Sequence, residues 1–172
     1  MPRVTHIFKT YFPRTGGGVE QAVRQCGAYA AAHGFDVQVA SVGPIDETIS
    51  TSDGIVARFY RQTADFLSNP VSMSFAGNFS TICENTDLLH FHFPWPTAEL
   101  LALARPLKKP ALVTFHCDIH RALPVKRMYL PFVRRFLQKM GYICVTSRAL
   151  YDTTPYLHRF QPKGRDHSFV YE

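Results

Sequence analysis

Three groups of residues in this chain have types and spacings that can do chemistry. His90 and His92 stand two apart in Asp87-Leu88-Leu89-His90-Phe91-His92, so on a strand they share one face. His116 follows the apolar run Ala111-Leu112-Val113-Thr114-Phe115, with Asp118 and His120 close behind. An imidazole at a strand end beside a carboxylate suits an electrophilic or hydrogen-bonding role at a reaction centre; the alternative is a loop histidine bonded to backbone. The third group is Gly16-Gly17-Gly18-Val19-Glu20, set between an apolar strand and a helical pattern. Glycines at such a junction let the backbone turn tightly and approach a ligand, and the helix that follows offers N–H groups to an anion. The alternative is a tight turn without a ligand. The spacing matches neither G-x-x-x-x-G-K-[ST] nor G-x-G-x-x-G.

His90, His92, His116 and His120 could together supply imidazole ligands to zinc. No acidic residue flanks the His-x-His pair in an HExxH-like pattern, so the expectation is no metal. Phe91, Phe93 and Trp95 suit core and rim packing, although Trp95 in a proline-bounded loop could stack on a sugar ring. The basic residues Lys126, Arg127, Arg134, Arg135 and Lys139 read as a solvated helix face. The functional alternative is contact with anionic lipid head groups, without a Trp/Leu insertion face to accompany it.

The elements that must position these residues alternate in type. Val4–Phe8 reads as a strand, and the 3.6-residue pattern from Val19 to His33 as a helix closed by Gly34. Phe35–Ala40 reads as a strand, Gly43 to Gly54 as a polar loop, and Ile55–Tyr60 as a strand. Asn69-Pro70 marks a turn before a helix carrying Met73, Phe75, Phe79, Ile82 and Cys83. Asp87–His92 is a strand, Thr97 a cap for the helix Ala98–Ala104 with Glu99 in its first turn, and Ala111–Phe115 a strand buried on both faces. Pro124 can open the helix Val125–Met140, which Pro131 should kink or split. Tyr142–Val145 is a strand, Ser147 caps a helix near Ala149–Leu157, and Ser168–Tyr171 reads as a last strand. Such alternation predicts an α/β fold: a three-layer, Rossmann-like parallel sheet with helices on both faces. Right-handed crossovers gather the strand carboxyl ends at one edge, where such sheets bind ligands. The glycine loop, the turn after His92, His116 and Ser147 all belong to that edge.

A length of 172 residues, 46% of them hydrophobic and 19% charged, fits one globular domain. No apolar run approaches the ~20 residues of a membrane span. The four cysteines show no C-x-x-C pair, which suggests reduced thiols in a cytoplasmic protein. The net charge of +6 favours an anionic partner: a nucleotide, a pyrophosphate lipid, a membrane surface or nucleic acid.

Four segments, in order, carry a family resemblance: Ile7-Phe8-Lys9-Thr10-Tyr11-Phe12-Pro13 leading to Gly16-Gly17-Gly18-Val19-Glu20-Gln21; Asp87 to Pro96; Val113-Thr114-Phe115-His116-Cys117-Asp118; and Val145-Thr146-Ser147. Together they resemble the N-terminal half of a GT4-type retaining glycosyltransferase of the GT-B fold. His92-Phe93-Pro94-Trp95-Pro96 and Thr114 to Arg121 are most similar to bacterial O-antigen and lipopolysaccharide mannosyl- or rhamnosyltransferases. The resemblance implies that Gly16, Gly17 and Gly18 approach the donor diphosphate, that His116 lies by the sugar and acceptor, and that Asp118 orients it or contacts acceptor. Glu20, His92, Trp95 and Ser147 would line the acceptor side. It implies a nucleotide-sugar donor (a GDP-sugar), no metal or other cofactor, a glycan or polyprenyl-diphosphate-linked acceptor rather than nucleic acid, and peripheral contact with the membrane. Residues 1–172 would form the N-terminal domain, with the C-terminal donor-binding domain absent and the isolated half inactive. An interdomain face left bare could pair two copies. The competing reading is a stand-alone Rossmann-like module that binds a nucleotide or glycan without catalysis.

Overall fold

The computed structural model describes residues 1–119 and 123–159. His120 and the expected strand Ser168–Tyr171 lie outside the described residues. Six strands run parallel: β1 (Arg3–Ile7), β2 (Asp36–Gly43), β4 (Ile55–Arg61), β7 (Leu88–Phe93), β8 (Ala111–Phe115) and β9 (Tyr142–Val145). A seventh, β3 (Glu47–Ser50), joins β4 antiparallel. The order is β3-β4-β2-β1-β7-β8-β9. The chain therefore winds one way from β1 through β2 to β4, and the other way from β7 to β9, with the reversal between β1 and β7. A ligand crevice in a doubly wound sheet lies at such a reversal, beyond the strand carboxyl ends.

Alternation along each strand divides the core in two. Ile7, Phe91, Phe93, Val113, Phe115 and Val145 face helices α2 (Met73–Glu84), α3 (Pro96–Ala104) and α4 (Leu123–Gln138). Val37, Val39, Ile55 and Ala57 face α1 (Gly18–Ala32) through Val23. Gly27 lets α1 come close: a Cβ there would lie 3.0 Å from Ile55 Cδ1. The expected three layers are present.

Several local expectations hold for the reasons given. Gly34 has φ +84, and the Gly34 and Phe35 amides bond the carbonyls of Ala31 and Ala30, both at 3.1 Å, closing α1 as a Schellman cap. Ser147 caps α5 (Arg148–Asp152) by accepting from the Leu150 amide at 3.1 Å. That helix is shorter than expected; a 3-10 turn, Leu157–Arg159, follows it.

Others do not hold. Thr97 caps nothing: α3 begins at Pro96 after Trp95, and the Thr97 hydroxyl instead donates to the Pro70 carbonyl at 3.2 Å. Pro131 does not split its helix, which runs unbroken from Leu123 to Gln138. Arg127, whose carbonyl loses its helical partner to the proline, is exposed, as is Pro131, so water can serve that carbonyl. The loop from Gly43 to Gly54 contains β3. Between β4 and α2 lies a small hairpin of β5 (Ala64–Asp65) and β6 (Pro70–Val71). Leu67 and Ser68 turn it with φ 56 and φ 62, in place of the glycine or asparagine such a turn favours.

Candidate functional site

The parallel sheet brings the segment after β1, the turn after β7, His116 after β8 and Ser147 after β9 to one margin. Gly16, Gly17 and Gly18 are all exposed there. Gly17 is extended (φ −153, ψ −178) and gives α1 no side-chain cap, so the first N–H groups of that helix remain available to an anion. Among the described residues, a Cβ at Gly18 would meet nothing within 4 Å beyond its own helix backbone and chain neighbours, and the atoms nearest to one at Gly17 would be those of the Glu20 carboxylate. Glu20 is half-buried in the first turn, and its Oε1 accepts from Thr10 Oγ1 at 2.8 Å. Its charge competes with any anion for the same positive helix end.

His116 is not alone. Its Nε2 lies 2.9 Å from His92 Nδ1, and His92 Nε2 lies 2.9 Å from His6 Nδ1. Even-numbered positions of β1 and β7 share the α1 face, and the register sets His6 beside His90 and His92 beside Thr114. His90 stacks on His92 with centroids 4.2 Å apart, and its Nε2 meets Thr114 Oγ1 at 2.7 Å. Beside these rings is a cavity of about 100 Å³ that His90, His92, His116, Cys26 and Cys144 help to line. Burial pushes the pKa of His6 and of His116 down to about 4. Burial, with neighbouring imidazoles, holds His90 and His92 well below the usual histidine value. At neutral pH the four rings are uncharged.

Among the described residues, His6, His90 and His92 offer nitrogens within 4.8 Å of one another, enough to consider a metal. Two nitrogens on tetrahedral zinc, with Zn–N near 2.0–2.1 Å, stand about 3.3 Å apart. The 2.9 Å between His6 and His92 is instead a hydrogen bond. His6 was missing from the sequence reading. The clue was its place on the same alternation as the His-x-His pair, which matters only once β1 and β7 are known to be neighbours.

Among the described residues, Asp118 makes its hydrogen bonds away from the His116 ring. One carboxylate oxygen pairs with Lys126 Nζ at 2.5 Å; the other accepts from Tyr156 Oη at 2.6 Å and from the Ile119 amide at 2.7 Å. Burial alone would raise its pKa, but these donors outweigh it and hold the carboxyl below its usual value. Its geometry is that of a latch holding the 116–119 loop to α4 and to Tyr156. His92, which the sequence suggested as an acceptor contact, is 3% exposed and stands behind His116. Trp95 is 1% exposed: its Nε1–H donates to the Pro70 carbonyl at 3.1 Å and its ring packs on Phe75. The indole belongs to the α2–α3 side of the core, opposite the histidines, and offers no face to a sugar here. Ser147 is exposed at the rim, its Oγ engaged as the helix cap.

Of the basic helix face, Lys126 holds Asp118, while Lys139 Nζ donates to the Ala102, Leu103 and Arg105 carbonyls at the end of α3. Arg127 and Arg135 are exposed, and Val125, Met128 and Phe132 are exposed beside them.

This Rossmann-like margin is where a doubly wound sheet takes a ligand, and sequence comparison places the chain in a family. The pattern of glycosyltransferase family 4 matches residues 16–163, and the chain belongs to that family. It is 30% identical over 165 residues to the D-rhamnosyltransferase WbpZ of Pseudomonas aeruginosa, covering 95% of this chain and 43% of that protein. It is also 30% identical over 163 residues to the O-antigen chain mannosyltransferase C of Escherichia coli, covering 94% of this chain and 44% of that protein. The chain thus spans less than half the length of these relatives. In fold it is similar to a sucrose-phosphate synthase from Thermosynechococcus elongatus (TM-score 0.64, 17% identity, 93% of this chain and 45% of that one). Among the described residues, no helix is long and apolar enough to cross a membrane.

Proposed function

We propose that this chain forms the acceptor-side wall of a retaining hexosyltransferase that moves mannose or rhamnose from a GDP-sugar to a glycan or polyprenyl-diphosphate-linked acceptor. The observation that carries the reading is the shared margin: an uncapped helix start behind three exposed glycines and an uncharged His116, both on the α1 side of the sheet's reversal. The open helix end suits a diphosphate, and a neutral imidazole suits a hydrogen bond to a sugar or acceptor hydroxyl.

In the reaction, the bond from the sugar's anomeric carbon to the diphosphate oxygen breaks. A bond to the acceptor oxygen forms on the same face, and the acceptor's proton passes to the departing phosphate. The wall described here supplies orientation and hydrogen bonds; a second domain supplies the donor pocket. The chain by itself therefore turns over no donor. The exposed Val125, Met128 and Phe132, flanked by Arg127 and Arg135, fit a peripheral contact with an anionic bilayer at the cytoplasmic surface.

The test is a titration of the 172-residue chain, followed by amide NMR, with GDP, GDP-mannose and short mannosides or rhamnosides, alongside a transfer assay. The reading expects glycan-induced shifts around Gly16–Gly18 and His116, weak GDP binding, and no transfer. Tight GDP binding without glycan shifts would favour a nucleotide-binding module; sugar transfer by the chain alone would remove the need for a second domain.

A further inference from the structure

His6, His92 and His116 form a continuous chain of imidazoles, 2.9 Å at each step, that uses both nitrogens of His92. A neutral imidazole carries one N–H and one lone pair. His92 must therefore donate at one step and accept at the other, so both hydrogen bonds point the same way. Only two arrangements exist. In one, every proton sits on Nε2, which leaves His116 Nδ1 bare and places an N–H at His6 Nε2. In the other, every proton sits on Nδ1, so His116 presents an Nδ1–H and His6 Nε2 carries a lone pair.

The inner end decides between them. His6 is 1% exposed, and among the described residues its Nε2 is buried without a hydrogen-bond partner. An orphaned buried N–H is among the rarest features of folded proteins, and the second arrangement avoids it. The stacked His90, whose Nε2 engages Thr114, stands outside the relay and holds the rings of His92 and His6 in place.

We infer that His6 and His92 act as a tautomer lock that fixes His116 as the Nδ1–H form, a hydrogen-bond donor and not a base. His6 and His92 are thus positioning residues. The lock follows from this chain's geometry alone; its use in holding a sugar or acceptor oxygen rests on the function proposed above. The lock carries no net proton flow, because passing a charge inward would leave an imidazolium at the fully enclosed His6.

Imidazole 15N NMR of the uniformly labelled 172-residue chain near pH 7.5 tests this without substrate or activity. The expected spectrum has protonated-type Nδ1 and unprotonated-type Nε2 resonances for His6, His92 and His116. Protonated-type Nε2 at His116 overturns the inference. His6→Leu removes the partner of His92 Nε2, and an Nε2–H on the enclosed His92 would then be an orphan, so the His116 resonances should keep their wild-type character. His6→Asp instead puts an acceptor oxygen where Nδ1 stands, so His92 should carry its proton on Nε2 and His116 should exchange to the Nε2–H form. Identical His116 spectra in wild type and His6→Asp would show that the ring is set independently of position 6 and also overturn the inference. If His6→Asp does not fold, the wild-type spectrum decides. Because these readouts need no sugar, the lock can fail while the transferase reading stands, and the reverse.

Discussion

The Tyr129 hydroxyl donates to the Glu99 carboxylate across the packing of α4 on α3, and the same carboxylate accepts the Trp95 amide at 2.8 Å. Glu99 is 3% exposed. Its enclosure pushes the carboxyl pKa up to about 7, although both donors pull the other way.

The consequence is a pH dependence with a defined sign. Between the ordinary glutamate value and about pH 7, the native state keeps a proton that the unfolded chain has lost. Stability from this group is present below the unfolded pKa and is lost as pH rises through 7, a change on the order of 3 kcal/mol. Glu99→Gln keeps the shape and removes the titration. Urea midpoints should show the variant gaining on wild type from pH 5 to pH 8; an equal difference at both would contradict the assignment.

The three buried histidines and the half-buried His116 act with the opposite sign. Their native pKa values lie below 6.5, with His6 and His116 at about 4. The unfolded chain therefore binds more protons, and stability present above pH 6.5 is lost as pH falls toward 4. Each ring contributes up to about 1.4 kcal/mol per pH unit. In the Glu99→Gln background, denaturation midpoints should fall steadily from pH 7 to 4.5. A flat profile would mean the imidazoles are not enclosed.

Trp95 is the only tryptophan in the chain and its indole is enclosed. Its emission should be blue-shifted, resist iodide quenching and stay unchanged on titration with mannosides or rhamnosides. A saturable change in emission would return the indole to the binding surface. Trp95→Ala should cost about 3–5 kcal/mol of stability.

Gly27 tests how closely α1 lies on the sheet. A Cβ there would stand 3.0 Å from Ile55 Cδ1 and 3.3 Å from Val37 Cγ1. Gly27→Val should therefore destabilise by about 1–3 kcal/mol through overpacking, read as a lowered urea midpoint. An unchanged midpoint would place the helix farther out.

The sheet was readable because its strands are apolar runs with clear breaks, and because α1 ends on a glycine that only a left-handed cap requires. β3 was not, since Glu47-Thr48-Ile49-Ser50 has a single apolar side chain and lies at an edge. The hairpin at Leu67-Ser68 was hidden because neither residue is a usual turn former. In the candidate site, the common margin of His116 and the glycine segment was legible from the order of strands and helices. The ties of His6 to His92 and of Asp118 to Lys126 and Tyr156 were not, because local spacing does not say which side chains separated by tens of residues become neighbours. Trp95 was misplaced for a related reason: a proline-bounded aromatic looks like a surface loop until the α2–α3 layer covers it.

At Gly18 the chain leaves room it does not itself use. The position starts a helix, and among the described residues an added methyl would meet nothing within 4 Å beyond the helix's own backbone and its chain neighbours. Gly18→Ala should leave the host as sound as before, so any impairment it brings would measure the fit of a guest at that doorway.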